Sequence, residues 1–361
     1  MKKILIITNH SYMLYRFRRE LIEALANDHE VVLSMPFVGH EDDFKAMGLR
    51  CIETKVDRRG IDPRTDFKLL CTYDRMIKEE HPDIVITYSI KPNIYAGIVC
   101  RRRGISYCAN VQGLGTAFQK KGLAQFVTIL YRAALGKAKT VFFENSENAR
   151  LFVARGIIPE KKVTLLHGAG INLDEYAYQP YPRNKVTHFL YLGRIMREKG
   201  MDELFYAAKR LHDEGAKFVL DLVGFFEDEY KEQVEQMQAA GIAVFHGFQE
   251  DPKPYYAAAD CVVMPSYHEG MSNVNLEAAA TGRPVITTDI PGCREAVEDG
   301  KTGLLCTAGS REGLYEAMKR FLELPREQRV NMGKAGCEKM AREFDKKTVV
   351  AAALQALWAC Y

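Results

Sequence analysis

The sequence predicts an α/β protein made of two doubly wound parallel-sheet domains, each of the Rossmann-like type. Its 361 residues, 47% of them hydrophobic, are long for one domain and sufficient for two packed cores. Strand and helix patterns alternate from the start of the chain. Two prolines and polar neighbours interrupt the alternation at 179–184, and it then begins again. We therefore predict a first domain over 1–182 and a second over 183–343.

The first domain opens with a buried strand at 2–8 and a helix at 12–26 whose apolar residues recur at helical spacing. The same alternation continues to the predicted linker. The further predicted strands are 30–35, 84–88, 106–111 and 140–143, and the further helices are 65–80, 93–102 and 122–135.

The second domain opens in the same way, with a strand at 187–192 and a helix at 201–213. Two such domains facing one another would form a cleft at the carboxyl ends of both sheets, where ligands bind in this architecture. The remaining predicted strands are 218–223, 243–245, 261–264 and 285–288, and the remaining helices are 228–240, 252–258, 273–281, 310–324, 326–342 and 346–360.

The segment from Glu269 to Glu277 is the most informative part of the chain. Ser272 is an N-cap residue and Gly282 a helix stop, so a helix should begin near Ser272 or Asn273. The free N–H groups at such a helix tip bind phosphate, and a diphosphate fits there. Glu277, one turn into the helix, could accept hydrogen bonds from ribose hydroxyls, while Glu269 would meet the transferred sugar. The alternative is that both glutamates are ordinary solvated carboxylates.

Two cations follow the first strand of the second domain, at the carboxyl edge of the predicted sheet. Arg194 comes directly after Gly193, and Lys199 lies five residues later. Opposite a helix tip, they could neutralise the charge on a departing diphosphate, or they could belong to a solvent-facing loop. Gly247 and Phe248 follow another strand on this edge and could contact a base. The chain contains no Asp-x-Asp triplet, and we expect no metal.

The positive charge is concentrated in the first half of the chain. Residues 1–180 contain 27 Lys and Arg against 20 Asp and Glu, whereas the remainder contains 23 against 27. Such an excess favours an anionic partner such as a phospholipid surface or a polyprenyl diphosphate, although solvated helix faces also carry such runs. No nucleic-acid-binding motif is present, so we expect no nucleic-acid partner. The basic clusters are 16–19, 58–59, 101–103 and 120–121.

The composition also bears on the cellular compartment. The nine cysteines contain no Cys-x-x-Cys pair, which indicates reduced thiols packed as small hydrophobes. No apolar stretch of about 20 residues and no signal peptide is evident, so we expect a cytoplasmic protein. The apolar and basic segment 122–135 could lie on the inner face of the cell membrane or, alternatively, cover the sheet as an ordinary helix.

Four second-domain motifs carry a family resemblance: Gly193-Arg194, Lys199-Gly200, Pro265-Ser266 and the segment from Glu269 to Glu277. Together they resemble the donor site of glycosyltransferase family 4, a family of retaining enzymes with the GT-B fold. By this resemblance, Arg194 and Lys199 bind the diphosphate, Glu277 the ribose and Glu269 the transferred sugar, while the amides of residues 271–273 bind the phosphates. The last helix, at 344–361, would cross back onto the first domain. The catalytic candidates are Glu269, Arg194 and Lys199, and the donor-binding candidates are Glu277, Gly193, Gly270, Met271, Ser272, Asn273, Gly247 and Phe248.

Two first-domain segments, 89–93 and 110–115, resemble bacterial enzymes that extend undecaprenyl diphosphate-linked sugars in surface polysaccharide or glycan assembly. The first domain would then bind the acceptor. The chain departs from the family pattern at 9–12, where many members have a glycine-rich turn, and at Gln112, where many have a histidine. Phe118 stands at the third glycine place of G-x-G-x-x-G, which excludes a nicotinamide site. The acceptor candidates are Arg16, Lys91, Asn93, Gln112 and Gly113.

The resemblance implies transfer of a hexose or N-acetylhexosamine from a UDP-sugar to a saccharide acceptor. Front-face transfer, with the leaving diphosphate accepting the proton of the incoming hydroxyl, is the preferred mechanism. Double displacement through Glu269 as the nucleophile is the competing route. A UDP-N-acetylglucosamine 2-epimerase and a non-catalytic nucleotide-sugar-binding protein are the alternative functions on the same architecture.

Overall fold

A computed structural model describes residues 1–57, 62–114, 118 and 121–360 of the protein. The chain forms two compact units. Unit 1 comprises Met1–Ala169 and Lys347–Tyr361, and unit 2 comprises Gly170–Lys346. Two predicted basic clusters lie outside the described residues. Residues 58, 59 and 120 are not described, and neither is the side chain of residue 121.

Unit 1 is built on a seven-stranded sheet in the order β3-β2-β1-β4-β5-β6-β7, and every pair of neighbouring strands is parallel. The strand order reverses between β1 and β4. The strands are β1 Lys3–Ile7, β2 Glu30–Met35, β3 Arg50–Glu53, β4 Ile84–Tyr88, β5 Ser106–Val111, β6 Val141–Phe143 and β7 Val163–Leu165. The helices are α1 Ser11–Ala26, α2 Glu41–Ala46, α3 Pro63–Glu80, α4 Ile90–Arg103, α5 Lys121–Leu135 and α6 Ser146–Ala154.

The sequence explains why these strands occupy the centre of unit 1. Residues 4–7 of β1 are consecutive aliphatic side chains, and all four are completely buried. A parallel strand is covered by helices on both faces, so it needs a continuous apolar run instead of alternation. Leu5 and Ile7 belong to one core cluster, while Ile4 and Ile6 belong to the cluster on the opposite face. The core of unit 1 therefore lies on both sides of its sheet.

Unit 2 repeats this plan with a six-stranded parallel sheet in the order β10-β9-β8-β11-β12-β13. Its order reverses between β8 and β11. The strands are β8 Thr187–Leu192, β9 Phe218–Val223, β10 Ala243–Gly247, β11 Cys261–Met264, β12 Val285–Thr288 and β13 Gly303–Cys306. The helices are α7 Met201–Asp213, α8 Lys231–Ala239, α9 Lys253–Ala258, α10 Asn273–Ala280, α11 Arg311–Glu323 and α12 Arg326–Lys339.

The last helix, α13 (Lys346–Trp358), belongs to unit 1 from Lys347 onward. Leu357 is buried in a unit 1 core cluster, and Leu354 and Trp358 pack against it. The sequence pattern predicted one helix over 326–342, but α12 ends at Lys339 and a π-helical turn follows over Met340–Phe344. Two buried residues of this turn, Met340 and Phe344, pack in the core of unit 2.

Residues 170–182, which the sequence analysis grouped with the first domain, pack within unit 2. The completely buried guanidinium of Arg283 donates to the carbonyls of Gln179 and Pro180, and the hydroxyl of Tyr181 donates to the carbonyl of Asp260. Buried hydrogen bonds of this kind fix the position of an otherwise irregular segment.

Candidate active site

Most candidate donor residues of unit 2 lie where the strand order reverses, at the carboxyl ends of β8 and β11, whereas Gly247 and Phe248 lie at the end of β10. Crevices at this position of a parallel sheet are the usual ligand sites. The loops after the two strands contact each other directly, since Tyr267 N donates to Glu198 O at 2.9 Å. A Cβ atom on Gly200 would lie 2.1 Å from Pro265 O, and its φ is +75°. Only glycine fits this approach, so the sequence itself brings the loop of Lys199 onto the loop that leads to Glu269.

The helix tip lies where the sequence predicted it. Helix α10 begins at Asn273, and the side chain of its N-cap, Ser272, accepts a hydrogen bond from Asn275 N. Ser272 N donates to Gly292 O at 2.7 Å, which ties the tip to the turn after β12. The first amides of a helix have no carbonyl partner within the helix. An anion placed at this end would therefore meet backbone N–H donors as well as the positive end of the helix dipole.

The two cations of the preceding loop each contact a carboxylate. Lys199 Nζ donates to Glu269 Oε1, and both side chains are mostly buried. Arg194 Nη1 donates to Glu227 Oε2 at 2.6 Å. An ammonium has three N–H donors and a guanidinium has five, so neither contact uses the full donor capacity of its cation. Lys199 and Glu269, 70 residues apart in sequence, are therefore neighbours at one edge of the sheet.

Glu277 is buried, with only 5% of its surface exposed, and its carboxylate accepts a 2.8 Å hydrogen bond from Tyr256 Oη. The alternative of a solvated helix-face carboxylate is therefore wrong for this residue. Buried polar groups continue beneath the helix tip. Asn275 Nδ2 donates to Thr287 Oγ1, and Thr287 Oγ1 donates to Met264 O. Such a polar interior under a surface loop is expensive to bury and fixes the loop when its hydrogen bonds are made.

The buried thiol of Cys293 lies near the carboxylate of Glu269. Burial, followed by the charge of Glu269, raises the pKa of Cys293 to about 12. Burial also raises the pKa of Tyr191, again with Glu269 as the next contribution. The Tyr191 hydroxyl donates to the carbonyl of Arg194 at 2.5 Å. Both groups are therefore neutral at physiological pH.

Glycine residues allow three neighbouring strands to end close together. Gly193 N donates to Val223 O, and Gly224 N donates to Gly247 O, each at 2.9 Å. Phe248 follows Gly247, and its exposed ring makes an edge contact with the exposed ring of Phe225, with centroids 6.2 Å apart. The sequence pattern predicted a base contact for Phe248 and none for Phe225. Phe248 directly follows β10, and Phe225 follows β9 after one glycine, Gly224. This position just beyond a strand end is the signal that could have identified the second ring.

Glu227 and Tyr256 were not predicted from the sequence either. Glu227 lies in the loop after β9 and could have been found by the same rule about strand ends. Tyr256 lies in the short helix α9, and nothing in its local pattern connects it with Glu277, 21 residues away. Only the packing of α9 against α10 reveals this hydrogen bond.

In unit 1, two acceptor candidates have structural partners. Lys91 Nζ forms a mostly buried 2.7 Å ion pair with Asp66. Asn93 is buried, and its side chain accepts from Thr87 Oγ1 at 2.6 Å and donates to Asn110 O at 2.8 Å. Asn93 thus joins α4 to β4 and β5. Its position in the fold is accounted for by these bonds, and a role in acceptor binding stays a prediction.

The remaining acceptor candidates lie after β5 and on α1. Gln112 and Gly113 directly follow β5 and are partly buried, and Arg16 lies partly buried on α1. At the ends of β1 and β4, Ser89 Oγ donates to Asn9 Oδ1 at 2.8 Å, and Ser89 has a φ of +75°. A non-glycine residue with positive φ is uncommon and often marks a functional turn. Ser89 therefore joins the candidates through its backbone geometry.

Other features of the described residues concern membranes and metals. No helix among them is both long and apolar enough to cross a membrane. In those same residues no group of three or more His, Cys, Asp or Glu side chains is arranged to hold a metal ion. Helix α5 covers the sheet with Val127 and Tyr131, yet Phe126 and Ile129 on its other face are 51% and 61% exposed.

Two family models match the chain. One, described as "Glycosyl transferase 4-like", matches residues 3–145, and the other, described as "Glycosyl transferases group 1", matches residues 186–324. A curated relative from Campylobacter jejuni, N,N'-diacetylbacillosaminyl-diphospho-undecaprenol alpha-1,3-N-acetylgalactosaminyltransferase, is 25% identical over 93% of both chains. The capsular polysaccharide biosynthesis glycosyltransferase CapM from Staphylococcus aureus is 24% identical over 81% of this chain and 80% of its own.

Solved structures share the architecture. The crystal structure of HepE from Anabaena in complex with UDP and glucose superposes with a TM-score of 0.82 at 16% identity, covering 99% of this chain and 100% of that one. The sucrose-phosphate synthase of Thermosynechococcus elongatus superposes with a TM-score of 0.77 at 20% identity and covers all of both chains. At these identities the similarity concerns the fold.

Proposed function

The chain belongs to glycosyltransferase family 4, whose enzymes have the GT-B fold, and from this premise we propose that it moves a hexose or N-acetylhexosamine from a UDP-sugar to a saccharide acceptor. The observation that carries this proposal is the meeting of a capped helix tip, two cations and a carboxylate at one sheet edge of unit 2. A diphosphate needs N–H donors and positive charge, and a sugar needs a hydrogen-bond acceptor.

Different residues of unit 2 are proposed to bind different parts of the UDP-sugar. Of the three amides predicted to bind phosphate, that of Ser272 is engaged by Gly292 O, so the amides of Met271 and Asn273 are proposed to hold phosphate oxygens at the tip of α10. Arg194 and Lys199 balance the charge that accumulates on the leaving diphosphate. Glu269, which pairs with Lys199, is proposed to contact the sugar attached to that diphosphate. Glu277, oriented by Tyr256, accepts from the ribose hydroxyls. Donors fixed before the reaction need no reorganisation as charge develops.

Transfer is proposed to retain the anomeric configuration by a front-face route. The bond from the anomeric carbon to the diphosphate oxygen breaks, the acceptor oxygen bonds to the same face, and the leaving diphosphate takes the proton of the acceptor hydroxyl. Double displacement would instead form a covalent glycosyl ester on Glu269. Intact-protein mass spectrometry after incubation with donor alone distinguishes the two, because a glycosyl adduct on Glu269 would contradict the front-face route.

Unit 1 is proposed to bind the acceptor, for which an undecaprenyl diphosphate-linked saccharide is the best candidate. The support comes from the Campylobacter jejuni relative, whose name gives such an acceptor, and from the positive excess of residues 1–180. Lys91 lies in the first turn of α4, which follows β4, and Gln112 and Gly113 follow the end of β5. Product analysis with and without a lipid-linked saccharide tests the proposal. Conversion of the UDP-sugar without acceptor would favour an epimerase, and absence of any product would favour a sensor.

We further propose that the protein is cytoplasmic and associates peripherally with an anionic membrane through α5. The exposed Phe126 and Ile129 supply apolar contact, and the exposed Arg132 on the same helix supplies positive charge. Flotation with phosphatidylglycerol vesicles at low salt should carry the protein upward, and a Phe126→Glu, Ile129→Glu variant should remain below. A Val244→Glu variant is the matched control, since Val244 is an exposed apolar residue of unit 2. Equal flotation of all three proteins would contradict the docking surface.

The base is proposed to contact the ring pair of Phe225 and Phe248. Exposed aromatic rings beside a phosphate site provide a surface on which a base can stack. Thermal unfolding in the presence of UDP-, GDP- and ADP-sugars identifies the preferred base, because a ligand that binds only the folded protein raises its melting temperature. Stabilisation by UDP-sugars above the other two classes is the expected result.

A further inference from the structure

The loop after β9 is hydrogen-bonded to the loop that carries Arg194. Ile195 N donates to Phe225 O at 2.8 Å, Glu227 N donates to Ile195 O at 3.0 Å, and Arg197 N donates to an Asp228 carboxylate oxygen at 2.8 Å. These three bonds form a short ladder between two loops that both leave the ligand-binding edge of the sheet. The backbone of Glu227 therefore keeps a fixed distance from the backbone of Arg194.

Glycine makes this approach possible. A Cβ atom on Gly224, the residue before the loop, would lie 1.8 Å from Gly193 O, and Gly224 has a φ of +152°. No other residue fits at that place without separating the two strand ends. The neighbourhood of Arg194 and Glu227 is thus a consequence of two glycines at the ends of β8 and β9.

The side chains complete the contact. Arg194 is 43% exposed, whereas Glu227 is 15% exposed, so the carboxylate is the more fixed partner of their 2.6 Å hydrogen bond. A long exposed arginine side chain loses rotamer entropy when it is held in one place. Because the bond with Glu227 orders the side chain in the free protein, that entropy is lost before any ligand binds. It occupies one N–H of the guanidinium and leaves the others available to a second anion.

We propose that Glu227 is a positioning residue for donor binding: it fixes the guanidinium of Arg194 at the carboxyl end of β8, where this group meets the diphosphate of the nucleotide sugar held at the tip of α10. This inference rests on the proposed function, in which the diphosphate binds at that tip. Glu227 does not touch the donor itself. Its contribution passes through Arg194 and depends on an oxygen acceptor at the end of its side chain.

The test uses the full chain and UDP as the probe, with affinity measured by isothermal titration calorimetry. Glu227→Ala removes the acceptor and should weaken UDP binding about tenfold, which corresponds to about 1.4 kcal/mol. Glu227→Gln keeps an acceptor oxygen and loses the charge, so it should bind within about threefold of the parent. In an Arg194→Ala background, Glu227→Ala should have no further effect, because residues that act through one another are not additive.

Glu312→Ala is the matched control. Glu312 makes an equally short 2.6 Å contact with Arg210, but the pair joins α7 to the start of α11. This variant should bind UDP like the parent.

Each other outcome contradicts one particular claim. If Glu227→Ala binds UDP as tightly as the parent or more tightly, Glu227 competes with the diphosphate and the positioning role is wrong. If it weakens binding equally with and without Arg194, its effect does not pass through that residue and the inference also fails. If the parent binds neither UDP nor GDP nor ADP, the proposed function itself is refuted, and this inference with it.

Discussion

The close approach of Gly200 to Pro265 makes a prediction that links the stability of unit 2 to its function. Replacing Gly200 by alanine places a Cβ atom 2.1 Å from Pro265 O, whereas Cβ contacts below 3.0 Å essentially never occur. The two loops would have to separate by about 1 Å. The positive φ of +75° adds a conformational penalty of about 1–2 kcal/mol for any L-residue. With about 1–3 kcal/mol for the forced separation, the free energy of unfolding should fall by about 2–5 kcal/mol.

Gly215 offers a matched control within the same unit. Its φ is +85°, and a Cβ atom there would meet nothing within 4 Å. Gly215→Ala therefore carries the conformational penalty alone, about 1–2 kcal/mol. Urea denaturation followed by circular dichroism measures both variants, and hydrogen exchange should show the additional loss of protection in β8 and β11.

The same substitution should affect ligand binding, because Lys199 directly precedes Gly200. A shift of about 1 Å moves its ammonium away from the position it shares with Glu269, and UDP affinity should fall at least about tenfold. Gly215→Ala should bind UDP like the parent. The reasoning is refuted if the two variants are equally stable, or if Gly200→Ala unfolds earlier and still binds UDP with the affinity of the parent.

Three further predictions concern individual side chains. Tyr256→Phe removes the hydrogen bond to the buried carboxylate of Glu277 and should lower the free energy of unfolding by about 1.5–3 kcal/mol; an unchanged urea midpoint would show that the bond contributes nothing. Asn93→Ala removes two buried hydrogen bonds in unit 1 and should cost about 2 kcal/mol or more while UDP affinity is kept; calorimetry showing weaker UDP binding at unchanged stability would contradict this. Because burial raises the pKa of Cys293 to about 12, its thiol remains protonated below that pH, and iodoacetamide at about pH 8 should alkylate the exposed Cys71 long before Cys293; peptide mass spectrometry showing rapid modification of Cys293 in the folded protein would disprove it.

The sequence predicted the central elements of both sheets well, and the reason is physical. Central parallel strands such as β1, β4 and β8 are buried on both faces, so they are continuous apolar runs that stand out in the chain. The capped start of α10 was equally accessible, because Ser272 and Gly282 mark its ends.

The peripheral elements were missed because their patterns are short or polar. Strands β3 and β7 are four and three residues long and only partly buried, so neither shows a clear apolar run. Helices α2 and α6 are six and nine residues long, too short for a helical period to be read reliably. The position of residues 170–182 was not evident either, because it depends on a buried arginine, Arg283, a hundred residues further along the chain.

In the candidate site, residues could be predicted from the sequence when their position after a strand was enough to name them. Residues whose importance depends on a contact with a distant side chain could not be predicted. Arg194, Lys199 and Glu269 could be named because each lies in a loop that follows a predicted strand. Their pairing was not foreseen, since the ion pair of Lys199 with Glu269 and that of Arg194 with Glu227 form across neighbouring strand ends. Which side chains pair there depends on strand order, and strand order is a property of the fold that local patterns do not contain.

The most direct test of the account is a calorimetric titration of UDP into the parent protein and into an Arg194→Ala, Lys199→Ala double variant. Each cation is expected to make a charge-assisted hydrogen bond with the diphosphate, worth about 1.5–3 kcal/mol. The double variant should therefore bind UDP at least about a hundredfold more weakly, while its circular dichroism spectrum stays that of the parent. Unchanged UDP affinity in a folded double variant would contradict the claim that these two side chains and the tip of α10 hold the donor diphosphate.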